Sequence, residues 1–385
     1  MVVQRSGIEV NGGAEAACLD VAREMNGVWD VEIITTCALD YVSWNDHYPP
    51  GESSVDGIRV RRFRVDHPRS EQFNALSVRA LQRGSEQSRE ELEEWMKAQG
   101  PYSSDLLRYV AEHRNEYDAW FFFTYLYATT YFGLPLVADR AVLVPFAHDE
   151  WPIHLPGWDA FFRLPRRIVF STDEERDFLL RRFAECDLQG EVVGVGIRPP
   201  EDVREDHFRH RIGVFRKFAL YLGRIEAAKG CDALLRDFAF ARDADLDLLM
   251  IGRTAMDVPE HDWLRLLGFV DERTKYEAIR AAEFVVAPSA LESLSLVLLE
   301  AWSQERPVLV NAASDVMVGQ CRRSGGGLWY ADGYEFAAAV PILRDPDTAR
   351  ALGRSGKRYL DERYSWSTIR ASYQRILEDV LAVRA

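Results

Sequence analysis

Along this chain, short apolar runs alternate with stretches whose apolar residues recur at helical spacing, a pattern that predicts parallel strands joined by helices. In the first half the runs lie near Val31 to Thr35, Ile58 to Phe63, Ala119 to Phe123, Ala141 to Phe146, Ile168 to Ser171 and Glu191 to Val195. The second half continues with Phe218 to Leu222, Leu246 to Ile251, Leu264 to Leu267, Phe284 to Ala287 and Val308 to Val310. Between them, Gly196-Ile197-Arg198-Pro199-Pro200-Glu201-Asp202 is a Pro-rich charged connector and marks the domain boundary. The expected architecture is therefore α/β, with one domain over residues 1–197 and a second over 198–365. Residues from about 66 to 115 read as a polar, helix-prone insertion, a solvated helical subdomain with Glu90, Glu91, Glu93 and Glu94 near Trp95. Past Tyr364-Ser365-Trp366-Ser367, the spacing of Ile369, Tyr373, Ile376, Leu377 and Val380 predicts a closing helix over 366–385.

Composition narrows the class. A chain of 385 residues is long enough for two or three domains, each with its own core. Apolar residues make up 47% and charged residues 28%, so the chain is globular rather than disordered. Acidic residues outnumber basic ones 61 to 47, which argues against a nucleic-acid partner, since phosphate binding leaves a basic footprint. Cys18, Cys37, Cys186, Cys231 and Cys321 are scattered without paired spacing, as expected of reduced core thiols rather than a disulfide framework or a zinc site. The most apolar stretch, Ala119 to Val137, is broken by Thr124, Thr129, Thr130, Gly133 and Pro135, so a strand, loop and helix explain it better than a membrane span.

Two segments carry candidate chemistry. In Pro288-Ser289-Ala290-Leu291-Glu292-Ser293-Leu294-Ser295-Leu296-Val297-Leu298-Leu299-Glu300-Ala301, two glutamates eight positions apart bracket an apolar run that reads as a strand end, a tight turn and a buried helix start. At helical rise the interval covers about 12 Å, comparable to a nucleotide-sugar measured from ribose to sugar. The amides between the carboxylates would open the helix towards the phosphates. Earlier, the apolar run Phe218 to Leu222 leads into Gly223-Arg224-Ile225-Glu226-Ala227-Ala228-Lys229-Gly230, a glycine turn followed by a forked donor and a point charge suited to diphosphate.

Together these segments resemble the C-terminal half of glycosyltransferase family 4, retaining group 1 sugar transferases of the GT-B fold. That family carries Gly-Arg, Lys-Gly, Pro-Ser and a pair of glutamates separated by seven residues, in this order. The resemblance extends to Asn11-Gly12-Gly13-Ala14-Glu15, a Gly-Gly loop opening the first helix, and to the terminal helix, which is expected to pack back on the N-terminal domain. It implies two facing Rossmann-like domains with a deep cleft between them, the N-terminal one on the acceptor side. Family members carry a longer apolar first strand than Met1-Val2-Val3-Gln4, so further residues upstream are expected.

The resemblance also distributes roles. It places Arg224 and Lys229 on the donor diphosphate, with Gly223 in the turn beneath them, Glu300 on the ribose, and Glu292 and His148 at the reacting sugar. Ser293, Leu294, Ser295 and Leu296 supply amides, and Val270, after Gly268-Phe269, lies along the base. Many members have Gly-Phe-Gly where this chain has Ser293-Leu294-Ser295, which leaves donor identity open. On the acceptor side the candidates are Gly12 and Gly13, Asn45 and His47 in the aromatic loop Asp40 to Pro50, and Tyr125. Asp149 and Glu150 have the alternative reading of helix caps. The implied co-substrate is a nucleotide-diphosphate sugar, with no other cofactor and no metal, and the acceptor a glycan, lipid-linked or small molecule. A cytoplasmic enzyme of cell-envelope glycan synthesis is expected, with peripheral association at the inner membrane face.

Other chemistries fit less well. Asp243-x-Asp245 precedes an apolar run instead of ending one, and Asp345-x-Asp347 sits among helical patterns, so neither reads as a metal motif. Neither Gly12-Gly13 nor Gly194-Val195-Gly196 continues as the G-x-G-x-x-G of a nicotinamide enzyme, and the G-x-S-x-G elbow of a serine hydrolase is missing. A non-catalytic GT-B subunit that binds a nucleotide-sugar or glycan, and a same-fold epimerase, remain as alternatives.

Overall fold

The computed structural model describes residues 1–10, 12–241, 243 and 245–382, and it divides into two units: Met1–Val195 together with the helix that begins at Trp366, and Gly196–Ser365. The first unit runs α1 (Gly13–Met25), β1 (Glu32–Thr36), β2 (Gly51–Val55), β3 (Ile58–Phe63), α2 (Phe73–Arg83), α3 (Arg89–Gln99), α4 (Ser104–Glu112), β4 (Trp120–Phe123), α5 (Ala128–Gly133), β5 (Ala141–Val144), α6 (Trp158–Phe162), β6 (Arg167–Phe170), α7 (Asp173–Arg182) and β7 (Gly190–Val192). Val2 bridges in parallel to both Ile34 and Phe122, so Met1–Val3 stitches the ladder β1-β3-β2 to the ladder β4-β5-β6-β7. Strand β4 shows why its run is continuously apolar. Trp120 and Phe122 enter one core and Phe121 and Phe123 the other, because alternate side chains point to opposite faces of a sheet covered on both sides.

Two features of the first unit depart from the sequence reading. Strand β2 pairs antiparallel with β3 through the turn at Asp56 (φ 49°) and Gly57 (φ 79°), so this sheet is not wholly parallel. Gly51-Glu52-Ser53-Ser54-Val55 is exposed except at Val55 and carries no apolar alternation, but the Asp-Gly pair is a strong hairpin signal. The second departure concerns residues 66–115, which do not form a separate solvated subdomain. The inner faces of α2, α3 and α4 place Leu76, Leu92, Trp95, Met96, Leu106 and Val110 in the same core as Trp120 and Phe122. The glutamates lie at the start of α3, where Ser88 and Glu91 form a capping box.

The second unit runs α8 (Glu205–Ile212), β8 (Lys217–Leu222), α9 (Cys231–Phe240), β9 (Leu246–Ile251), β10 (Leu264–Gly268), α10 (Glu272–Ala281), β11 (Phe284–Ala287), α11 (Leu296–Ser303), β12 (Val308–Asn311), α12 (Asp315–Ser324), β13 (Gly327–Tyr330), α13 (Gly333–Arg344) and α14 (Pro346–Arg363). Its six strands pair in parallel in the order β10-β9-β8-β11-β12-β13. The chain builds outward from β8 to β10 and then returns to the other side of β8 with β11. That reversal creates a topological switch point between β8 and β11, where loops part and ligands bind in this class of sheet. Finally α15 (Trp366–Ala382) joins the first unit, with Ile369, Tyr373, Ile376 and Val380 buried beside Cys18, Val21 and Met25 of α1. All five cysteines are buried and free, and burial pushes the Cys18 thiol up to about 12. No helix among the described residues is long and apolar enough to cross a membrane.

Candidate active site

At the switch point of the second unit, the ends of four neighbouring strands come together through glycine. Gly223, after β8, has φ 140°, and its N–H donates to Ile251 O at 3.0 Å. Gly252, after β9, has φ 150°, and a Cβ there would lie 1.8 Å from Gly223 O. Its N–H donates in turn to Gly268 O, at the end of β10, at 2.9 Å. Gly230 closes the Lys229 turn at φ 74°, where a Cβ would sit 2.5 Å from Pro288 O, at the end of β11. All three have positive φ, and at Gly252 and Gly230 backbone is packed against the position, so that side chains can scarcely occupy it. The Pro288 carbonyl also accepts from Asn311 Nδ2 at 2.8 Å, so the Lys-Gly turn and the Pro-Ser loop share one anchor.

Three ion pairs stand on this frame. Arg224 pairs with Glu226 at 3.1 Å, Lys229 Nζ with Glu292 at 2.8 Å, and Lys275 Nζ with Glu300 at 2.7 Å. Burial works to lower the Lys275 pKa, but Glu300 and then Glu272, at 3.2 Å, outweigh it and raise the value. The two glutamates of the motif are therefore both held by lysine, one at the loop and one on the helix. Glu292 itself is not helical: α11 begins at Leu296 with Ser295 as N-cap, so the expectation of a continuous helical span between the carboxylates is corrected. The loop is shaped instead by Ser289, whose hydroxyl donates to Leu291 O at 3.1 Å. Ser295 makes no side-chain cap, leaving the first-turn amides of α11 without a side-chain acceptor from that residue. Leu294 is buried, while Ser293 and Leu296 are half-buried. Beyond β10, Val270 is half-buried, and the exposed Phe269 ring lies under the Arg253 guanidinium at 5.9 Å. Lys275, Gly252 and Asn311 escaped the sequence reading. Only Gly252 left a signal there, a glycine directly after an apolar run.

The first unit disperses its candidates. Asn11 lies outside the described residues. Gly12 is the N-cap of α1, where Glu15 folds back so closely that a Cβ would meet its Oε2 at 2.1 Å, whereas a Cβ at Gly13 would meet nothing within 4 Å. Glu15 is buried and paired with Arg5 at 2.5 Å. Asn45 and His47 are exposed, on either side of Asp46. His47 lies edge-on to Tyr48 and 3.7 Å from Glu9. Between the fold and the acceptor, Tyr125 belongs to the fold. Its ring is 1% exposed, packed against Trp158 and Phe162, and its hydroxyl donates to Glu150 at 2.8 Å, so it is corrected from acceptor candidate to core residue.

His148 follows β5 as expected. Its side chain is 28% exposed, Nε2 lies 3.7 Å from Glu150, and Nδ1 is buried without a hydrogen-bond partner. Asp149 pairs with His154 at 2.6 Å, and Glu150 gives no side-chain cap to the turn that follows, so neither acts as a helix cap. No three His, Cys, Asp or Glu side chains cluster among the described residues in a way that could hold a metal ion, and Asp243 pairs with Arg344.

Residues 216–344 match the model of the family described as Glycosyl transferases group 1. A phosphatidyl-myo-inositol mannosyltransferase of Mycolicibacterium smegmatis is 33% identical over 177 residues, 42% of this chain and 45% of the relative. A D-inositol 3-phosphate glycosyltransferase of Catenulispora acidiphila is 28% identical over 66% of this chain and 68% of its own. The chain thus spans about half to two thirds of the length of these curated relatives. Among solved structures, sucrose-phosphate synthase from Thermosynechococcus elongatus superposes with a TM-score of 0.71 at 18% identity, over 99% of this chain and 96% of that one. Anabaena HepE in complex with UDP and glucose gives 0.68 at 12% identity, over 98% of each.

Proposed function

We propose that the chain is a group 1 glycosyl transferase of the GT-B fold and that it moves a sugar from a nucleotide-diphosphate donor to a hydroxyl acceptor with retention at the anomeric carbon, a reading supported by the family match over residues 216–344, the similar transferases and the shared fold. The observation that carries the reading is the pair of lysine–glutamate contacts, Lys229–Glu292 and Lys275–Glu300, on loops and helices that flank the switch point of the second unit.

Each contact suits one end of a donor. Arg224 and Lys229 supply charge for the diphosphate, and the first-turn amides of α11 add donors where negative charge develops as the glycosidic bond breaks. Glu300, paired with Lys275, accepts from the ribose hydroxyls. Glu292, held by Lys229, accepts from the sugar, so a proton-donating hydroxyl and the phosphate charge compete for the two partners of one ion pair. Phe269 and the backbone at Val270 border the base. By family resemblance His148, in the first unit, contacts the transferred sugar. No metal enters this scheme, since the cations of the loop carry the leaving-group charge. The names of the relatives favour an acceptor bearing a phosphorylated polyol such as an inositol phosphate.

Release of nucleotide diphosphate from UDP- and GDP-sugars, with and without inositol phosphate, tests the proposal, with the anomeric configuration of the product read by NMR. Acceptor-dependent release, persistence in EDTA and an axial-to-axial outcome support it. Tight binding of a donor with no turnover on any acceptor would favour a binding subunit, and an inverted product would overturn the retaining assignment.

A further inference from the structure

Glu175, the third residue of α7, is 1% exposed and belongs to none of the roles above. Its Oε1 accepts the N–H of Ala147 and its Oε2 the N–H of Ser171, each at 2.5 Å. One carboxylate therefore joins the loop after β5, one residue before His148, to the turn after β6. Thr172 holds the glutamate in place by accepting its N–H at 3.2 Å. The loop needs such a tie, because Phe146 sits at φ 48°, a left-handed conformation that a bulky residue keeps only where neighbours fix it. Other ties lie on the β4 side, where Tyr125 N–H donates to Pro145 O at 3.1 Å and the Tyr125 hydroxyl donates to Glu150, and within the loop, where Glu150 N–H donates to His148 O at 2.8 Å. On the imidazole, Nδ1 has no hydrogen-bond partner and Nε2 lies 3.7 Å from Glu150, so the bend of the backbone beneath it is a main determinant of the ring's direction.

We infer that Glu175 is the positioning residue of His148, fixing the bend from which the imidazole projects by accepting the Ala147 and Ser171 N–H groups on separate oxygens. The inference rests on the glycosyltransferase reading, in which His148 meets the sugar. Only an ionised carboxylate presents an acceptor to both amides. A carboxylic acid or a carboxamide turns one of its two positions into a donor, which then faces an N–H. Burial, opposed by the Ser171 and Ala147 amides, pushes the Glu175 carboxyl up to about 7, so the tie is divided between its two forms near neutral pH. No neighbouring charge is among the causes of that shift, which are burial and hydrogen bonds to Ser171 and Ala147. Arg176 is taken up by Asp173 at 3.0 Å and Asp177 at 2.8 Å.

Amide hydrogen exchange reads this tie without reference to activity. In the wild-type protein, protection of the Ala147 and Ser171 amides, corrected for intrinsic rates, should fall by roughly tenfold as pH drops below about 7, the loss expected when one charge-assisted bond is removed. Glu175→Gln should show the low-pH behaviour at every pH, and His148→Ala should keep both the protection and its pH step. In transfer assays Glu175→Gln should lower kcat at least tenfold while donor affinity holds. Wild-type protection at both amides in Glu175→Gln, or an unchanged kcat, would overturn the inference. Should Glu175→Gln fail to melt cooperatively, Glu175→Asp keeps the charge but is too short to reach both amides, and must lose protection at one of them. If the wild-type protein transfers no sugar, the functional reading fails, and the exchange data still decide whether Glu175 holds the loop.

Discussion

The two units place their candidate chemistry on different materials. In the second, strand ends meet through Gly223, Gly252 and Gly230, and the charged side chains of the short loops remain free to pair with each other at the sheet edge. In the first, many of the polar and aromatic groups near the corresponding strand ends are consumed by the fold. Arg5 is paired with Glu15 and donates to Leu39 O, Arg62 donates to Ser6 O under Tyr48, Arg69 donates to Tyr41 O, and Trp44 donates to Gln99 O. A site built on backbone geometry leaves its side chains available, whereas a site built on long loops must spend side chains holding those loops.

The sharpest test of that contrast is steric. Gly252→Ala would force a Cβ to 1.8 Å from Gly223 O at a φ of 150°, so a loss of about 4 kcal/mol or more, or failure of the second unit to fold, is expected. Gly13→Ala places its Cβ in open space in the first turn of a helix and should stabilise the protein by about 0.4–1 kcal/mol. Urea unfolding of both variants settles the matter, and comparable losses would show that glycine does the same work in both units.

Next in size is the charge that glycine positions. Lys229→Ala removes one of two cations proposed for the diphosphate and should weaken nucleotide-diphosphate binding by roughly tenfold, at the low end for a charge-assisted bond because the lysine is partly solvated. Isothermal titration with UDP and GDP measures it, and unchanged affinity for both would detach Lys229 from the diphosphate.

The same contrast explains what the sequence disclosed. Strands β8 to β12 and the motif residues around Lys229, Glu292 and Glu300 were legible because each sits in or at the end of an apolar run, whereas the edge strand β13, which opens on Gly327 and is only partly buried, was missed. Lys275 was not, since its partner Glu300 lies 25 residues away on another helix and only the packing of α10 beside α11 joins them. Glu175 was hidden for a similar reason: its two amide partners belong to loops after different strands. The hairpin at Asp56-Gly57 had a local signal that the absence of apolar alternation in β2 obscured. Tyr125 misled because an aromatic after a strand looks the same in sequence whether it faces a ligand or, as here, Trp158.

Within the second unit the two glutamates should separate by sign. Glu300→Gln takes away a proposed ribose acceptor and leaves Lys275 with only Glu272, so affinity for bare nucleotide diphosphate should fall severalfold. Glu292→Gln instead releases Lys229 from its counter-charge, so bare nucleotide diphosphate should bind as well or up to a few-fold tighter, while transfer slows. Titrations beside transfer assays make the comparison, and a matching loss of affinity in both variants would show that the carboxylates do not divide the donor.

The smallest effects belong to the first unit and test whether its corrected assignment holds. Tyr125→Phe deletes a hydroxyl that donates to Glu150 but keeps the ring between Trp158 and Phe162, so it should cost about 1 kcal/mol of stability. Because the ring is 1% exposed, the acceptor KM should not change unless Glu150 moves the His148 loop, in which case kcat falls and KM stays. His47→Ala reverses the pattern. The imidazole is exposed and makes only an edge contact with Tyr48 and a 3.7 Å approach to Glu9, so its loss should shift stability by under about 0.5 kcal/mol. If His47 serves the acceptor, the acceptor KM should rise severalfold with little change in kcat, as expected for an interaction made equally before and during transfer. Melting curves and acceptor titrations on the two variants give four numbers. A KM increase in Tyr125→Phe with none in His47→Ala would return Tyr125 to the acceptor and remove the loop from it.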